Sequence, residues 1–234
     1  MLTALLCVGA VLLDWRLGEP PSRWHPLVGF GWLARRVEAL GYGPPELRAD
    51  LRRGRGVGAV IALLVPFTVA AWLLAAIPLL GLAVALGLLY LAIGARSLTE
   101  HAEAVAAALQ AGDLPLARER VGRIVSRDTD DLDEEQISRA TVESVLENGC
   151  DAIFGVLFWF SLIHVPGAVL YRLANTLDAM WGYRTPRYRD FGWAAARLDD
   201  LLNWVPARLT ALGYVAVGAN PALAWRCWRE QAPF

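Results

Sequence analysis

The chain has 234 residues, of which 56% are hydrophobic, more than the ~45–50% usual for a soluble domain, and a formal net charge of −1. So balanced a charge excludes a global field that would recruit nucleic acid. All 22 basic residues are arginine, which excludes Schiff-base chemistry and a phosphate loop built on lysine. The three cysteines (Cys7, Cys150, Cys227) and three histidines (His25, His101, His164) have neither disulfide-framework nor zinc spacing. Glycine-rich phosphate fingerprints are absent, so any nucleotide site is unconventional.

In chain order, residues 1–13 form a short apolar run followed at once by Asp14 and Arg16. Lacking a basic leader and a small-residue cleavage site, it reads as an uncleaved first membrane segment. Residues 57–95 are uncharged over 39 positions, ~58 Å of helix against a ~30 Å hydrocarbon core. Pro78 and Gly81 sit near the middle, so the run reads as a hairpin of 57–76 and 79–95. Two further apolar runs cover 152–171, interrupted by His164, Pro166 and Gly167, and 209–225. Trp15, Trp72, Trp204 and Trp225 lie near the ends of such runs, where an interfacial belt or core packing would each place them. The fold class is therefore an all-α integral membrane protein with about four to five transmembrane or re-entrant helices, one polytopic domain over 1–234.

Arginine sets the orientation. Eight arginines lie in 14–56 and none near Pro78, which places 14–56 in the cytoplasm. Region 96–151 then returns to the cytoplasm. A full crossing by 152–171 would put the arginine-rich 172–208 outside, so the "HVPG" break points to a re-entrant segment lining a cavity.

The 96–151 region reads as cytoplasmic helices, two of them joined at "AGDLP" with Gly112 as stop and Pro115 at the next start. Acidic residues from Asp128 to Glu135 form a solvated start to a further helix. On that helix Arg139, Glu143, Glu147 and Asp151 recur every four residues and share one face, with Asn148 beside them. Such a stripe is ordinarily a solvated surface. Its abutment on an apolar run raises the alternative of a reaction site, because ionisable groups at membrane depth are costly. Asn175 with Asp178, and Asp199 with Asn203 flanked by Arg197 and Asp200, share that setting. Singly each suits a cap or ion pair; together their oxygens suit Mg²⁺.

The stretches "DWRLGEPPSRWHPLVGFGWLARRVE", "RDTDDLDEEQISRATVESVLENGCDAIFGVLFW", "LYRLANTLDAMWGY" and "FGWAAARLDDLLNWVPARLTA" closely resemble the CobD/CbiB family of cobalamin biosynthesis. The matching positions include Asp14, Gly18, Pro20, His25, Pro26, Arg127, Asp128 and Thr129. They continue through Arg139, Glu143, Glu147, Asn148, Asp151, Asn175, Thr176, Leu177 and Asp178 to Asp199, Asp200, Asn203, Pro206, Ala207 and Arg208. Members of that family usually continue into a Ser-Pro-Asn-Ala-Gly segment, where this sequence reads "CWREQAPF".

The resemblance implies a multipass protein of the bacterial inner membrane whose polar site faces the cytoplasm. It implies an ATP-driven ligase that joins aminopropanol, or its phosphate, to a propionate of adenosylcobyric acid, with Mg²⁺. On that basis the candidate catalytic residues are His25, Glu143, Glu147 and Asp178. Arg127, Asp128, Arg139, Asn148, Asn175, Arg197, Asn203 and Arg208 are candidates for substrate and phosphate, and Asp151, Asp199 and Asp200 for metal. His25 has two readings, a base that keeps the amine neutral or a residue satisfying backbone in its turn. The bilayer is an expected partner, as are other corrinoid-pathway membrane proteins or a second copy of the chain; nucleic acid is not. Two other classes stay open, a non-catalytic membrane regulator of the AmpE type and an ion or solute transporter, the latter disfavoured by guanidinium groups beside the carboxylates.

Overall fold

The computed structural model describes residues 1–44 and 46–231; residues 232–234, the end of the "CWREQAPF" segment, lie outside it. Among the described residues the fold is all helix: α1 (Leu2–Leu17), α2 (Pro26–Gly41), α3 (Ala49–Ala75), α4 (Gly81–Ala92), α5 (Ala95–Gln110), α6 (Leu114–Val121), α7 (Glu134–Gly149), α8 (Gly155–Trp181), α9 (Tyr188–Phe191), α10 (Trp193–Val217) and α11 (Pro221–Gln231). A 3₁₀ turn covers Ser22–Trp24, and a π-helical turn, Cys150–Phe154, joins α7 to α8. Three helical stretches, Ala49–Ala75, Gly81–Gln110 and Glu134–Trp181, are long and apolar enough to cross a membrane. The protein is an all-α membrane protein.

Two hydrophobic cores form. The larger joins α1 to α4 with α8, α9 and α10, with Phe160, Tyr171, Leu177 and Trp181 fully buried at its centre. The smaller packs Val105, Ala108, Val121 and Ile137 of α5, α6 and α7. Its helix starts are set by sequence chemistry. Gly112 takes φ +70° territory at 69°, Asp113 caps α6 through Leu116 N at 3.0 Å, and Asp133 with Gln136 forms a capping box on α7. The 209–225 run is not one helix, contrary to a single apolar segment. Gly218 is extended (φ −67°, ψ 150°), and Pro221 supplies the preset φ that opens α11.

The element that organises the rest is α8, because it does not run straight. Ile163 (φ −131°, ψ 23°) and His164 (φ 55°, ψ −143°) are non-helical and reverse the chain, and Pro166 falls in the first turn of the returning arm, where its missing N–H is harmless. The contacts show the reversal. Gly167 lies against the backbone of Trp159, Gly155 against the Tyr171 ring, and Asn175 Nδ2 donates to Asp151 Oδ2 at 3.1 Å. These three pairs stand four, eight and twelve residues either side of Ile163. In a continuous helix Asp151 and Asn175 would be ~36 Å apart. The break expected at "HVPG" is thus a hairpin apex, and both arms return to the same end of the molecule.

Two glycines make the close approach possible. A methyl group at Gly167 would collide with the Trp159 carbonyl, and one at Gly155 with Tyr171. Outside the hairpin, Arg187 donates to Glu38 Oε1 at 2.9 and 2.6 Å, and Trp181 Nε1 donates to Glu38 Oε2 at 3.2 Å, which ties the chain after α8 to α2. That pairing holds the Arg187 guanidinium above its ordinary pKa.

Gly167→Ala is expected to destabilise the protein by about 1–3 kcal/mol, the usual range for overpacking. Gly29→Ala, which meets nothing within 4 Å, serves as the neutral control; thermal midpoints in detergent compare the two. With the native cysteines replaced by alanine, Asp131→Cys and Arg184→Cys are expected to react with an impermeant thiol reagent from the same side of the membrane.

Candidate active site at the mouth of the helical hairpin

Beyond Asp151 and Asn175 the hairpin opens. Its next two steps outward, Glu147 with Ala179 and Glu143 with Tyr183, both line a cavity of about 550 Å³. Ser126, Arg127, Asn148 and Asp178 complete its polar lining. Three members of the stripe seen in the sequence, Glu143, Glu147 and Asp151, therefore continue the hairpin's inner face. Toward the apex that face is glycine and aromatic; at the mouth it is carboxylate.

The π turn contributes at the junction. One extra residue in the helical repeat shifts the phase between α7 and α8, and such turns concentrate at functional sites. Here it carries Asp151, whose carboxylate enters a closed circuit of five side chains. Tyr171 Oη donates to Asn203 Oδ1 (2.6 Å), and Asn203 Nδ2 donates to Asp199 Oδ2 (3.1 Å). Asn175 Nδ2 donates to Asp199 Oδ1 (3.4 Å) as well as to Asp151 Oδ2, and Tyr171 Oη lies 3.5 Å from Asp151 Oδ1, which closes the ring. The circuit spans both arms of the hairpin and α10. On α10, outside the three membrane-competent stretches, burial raises the Asp199 pKa, opposed by the Asn203 and Asn175 donors, while Asp200 raises it further.

Asp178, on the returning arm, faces the cavity beside Gly182, where any side chain would strike its carboxylate. Across the mouth Glu143 Oε2 pairs with Arg127 Nη2 at 3.2 Å, with the side chains 65% and 53% exposed. A pair so solvated contributes about 0–1 kcal/mol to stability, so both groups remain available to a ligand.

The structure thus brings Arg127, Glu143, Glu147, Asn148, Asp151, Asn175 and Asp178 to one cavity, with Asp199 and Asn203 tied to it through the circuit. It places the other candidates elsewhere. His25 caps α2, its Nδ1 accepting from Leu27 N at 3.2 Å, and burial lowers its pKa. Asp128 Oδ1 accepts from Asp130 N within its own turn. Arg139 is exposed on α7, away from the cavity lining. Arg197 and Asp200 form an exposed i,i+3 pair at 3.5 Å, and Arg208 lies over the Trp204 ring at 4.2 Å. Tyr171 and Arg172 are site residues that the sequence reading passed over. Tyr171 was hidden in the apolar run, and Arg172 had no acidic neighbour in sequence to mark it.

Among the described residues no group of three or more His, Cys, Asp or Glu side chains is arranged to enclose a metal. The donors at the cavity are all oxygens, however, from Glu147, Asp151 and Asp178. That chemistry fits Mg²⁺, which is commonly held by one or two carboxylates with waters and substrate phosphates filling the rest.

The family model for "CobD/Cbib protein" matches residues 7–233. A "Cobalamin biosynthesis protein CobD" of Chromobacterium violaceum is 62% identical over 100% of this chain and 75% of its own length. Proteins of the same name from Stutzerimonas stutzeri and Rhodobacter capsulatus are 56% and 41% identical, over 98% and 94% of this chain and 74% and 71% of their own lengths. No solved structure matches the chain.

Tyr171→Phe removes the donor to Asn203 and leaves that carbonyl with only the Cys150 thiol at 3.9 Å. The expected cost is about 1–3 kcal/mol, the penalty for an unsatisfied buried acceptor, read as a lowered unfolding midpoint at unchanged expression.

Proposed function

The chain belongs to the CobD/Cbib protein family, and on that premise we propose that it catalyses amide formation in cobalamin biosynthesis, joining aminopropanol or its phosphate to a propionate carboxyl of adenosylcobyric acid in an ATP-driven ligase reaction. The observation that carries the reading is the carboxylate-lined mouth of the hairpin, where acidic, amide and guanidinium groups converge beside an apolar bundle. A corrinoid is bulky and amphipathic. Its ring lies along the apolar rim while one propionate enters the cavity.

ATP, when bound, supplies the activation that turns a carboxylate into an acyl group with a good leaving group, and Mg²⁺ held by Asp178 would neutralise phosphate charge. The protein's own groups have separate tasks. Arg127, held loosely by Glu143, can turn its planar fork toward an anionic oxygen of the activated carboxyl. Asn148 lines the same wall and offers an amide for orientation. As the amine nitrogen forms its bond to the acyl carbon, the bond from that carbon to the activating phosphate oxygen breaks and phosphate departs, while one N–H proton passes to Glu147, which lines the cavity. Asp151 and Asp199 are already engaged by Asn175 and Asn203, so in this reading the circuit holds the wall of the site rather than reacting. His25, at the start of α2, keeps the helix-capping role.

The same reading places the protein in the bacterial inner membrane with the mouth toward the cytoplasm, as the arginine distribution supports. Glu147→Ala is expected to lower product formation by about 10²–10⁴-fold, the usual contribution of a proton-transfer group, and Asp178→Ala to lower it by weakening Mg²⁺ binding, with both variants staying in the membrane fraction. The assay combines detergent-purified protein with adenosylcobyric acid, aminopropanol phosphate, ATP and Mg²⁺, and reads the product by mass. Wild-type rates in both variants would remove the carboxylates from the reaction.

A further inference from the structure

A second cleft of about 330 Å³ adjoins the carboxylate cavity and shares Ile124, Val125, Ser126 and Asn148 with it as a common wall. Its chemistry is opposite in sign. Arg172 enters from the returning arm of α8 and Arg123 from the chain after α6, with His101 and Ser97 on α5. Glu19 also lines the cleft and offsets one of the two guanidinium charges.

Arg172 is the unusual member. Its Nε is buried without a hydrogen-bond partner, and its guanidinium makes no salt bridge among the described residues. Nor does the structure use it to cap a helix. The start of α5 is already satisfied by Asp14, whose Oδ2 accepts from Arg96 N at 2.9 Å. A buried guanidinium N–H left unsatisfied is costly, which leaves a ligand as the natural partner. The rim groups are only lightly held. Arg123 makes an exposed pair with Glu119 at 2.6 Å, and His101 Nδ1 meets Ser97 O at 2.7 Å, which leaves the other ring nitrogen unengaged by that contact.

We propose that the Arg172 cleft is a phosphoryl-binding subsite, taking a phosphomonoester or terminal phosphate whose remainder reaches the carboxylate cavity past Asn148 and Ser126. The guanidinium forks of Arg172 and Arg123 match phosphate oxygens, and the Ser97 hydroxyl adds a neutral donor. Two sources share this chemistry, the phosphate of a phosphorylated amine and that of a nucleotide. The assignment deepens the amide-forming reading, because it gives the anionic end of one reactant a place apart from the carboxylates that would repel it.

The test is calorimetric titration of the full chain in detergent with inorganic phosphate, which needs no turnover and so stands or falls apart from the amide reaction. Wild-type protein is expected to bind phosphate, and Arg172→Met to weaken binding at least tenfold. Arg123→Met and His101→Ala, both at the rim, are each expected to weaken it several-fold, and they carry the test if Arg172→Met does not fold. Displacement then separates the sources. Ethanolamine phosphate displacing inorganic phosphate while a non-hydrolysable ATP analogue does not supports a subsite for the amine, and the reverse supports one for the nucleotide. No phosphate binding by wild-type protein, or binding unchanged in Arg172→Met, or in both rim variants, overturns the subsite.

Discussion

A reversal of the backbone at Ile163 and His164 is the constraint from which the rest of the architecture follows. His164 sits at φ 55°, a conformation unfavourable for a residue bearing a Cβ, and it is held there by what the two arms gain on either side. Glycine against backbone, glycine against a tyrosine ring and an aspartate against an asparagine succeed one another in regular steps. Without the reversal Tyr171 and Asn175 would not meet Asp151, and the polar circuit with α10 would not close.

The same geometry reconciles an apolar run with its charged flanks. A segment rich enough in apolar residues to cross a bilayer is followed by the arginines of 184–208, and a straight crossing would separate them from the helices of 96–151. A hairpin keeps both on one side, whichever side that is. The turn itself, residues 161–164, is exposed, whereas the arms behind it are packed by protein. Here α3, α4 and α10 pack around the arms, and Trp159 Nε1 donates to the carbonyl of Leu202, so α10 helps hold the outgoing arm in place.

Much of this was legible in the sequence, for identifiable reasons. Periodicity of four made the face of Glu143, Glu147 and Asp151 visible, and proline and glycine after His164 marked the break. Local chemistry also fixed the helix starts at Asp113 and Asp133. What stayed hidden was long-range pairing. Tyr171 reads as one more apolar position until the fold-back sets its hydroxyl beside Asn203. Glu38 gives no sign of being buried until Arg187 and Trp181 arrive from far along the chain. His25 had two readings, a base by its ordinary pKa or a residue satisfying its turn, and acceptance from Leu27 N at Nδ1 accords with the second. Arg139, Arg197 and Arg208 are the same residue type as Arg127 but stand away from the cavity lining.

The equal arms of the hairpin also act as a measuring device. Asp151 and Asn175 both stand twelve residues from the apex, ~18 Å of helix, against a half-thickness of ~15 Å for the hydrocarbon core. The hairpin therefore sets its first carboxylate about one such half-thickness from its tip. Distance is counted outward from the turn, so a residue added to or removed from one arm would throw every later pair out of register. Added length in the chain beyond Tyr183 would leave the count intact. Arm length alone sets how far the carboxylates stand from the apex.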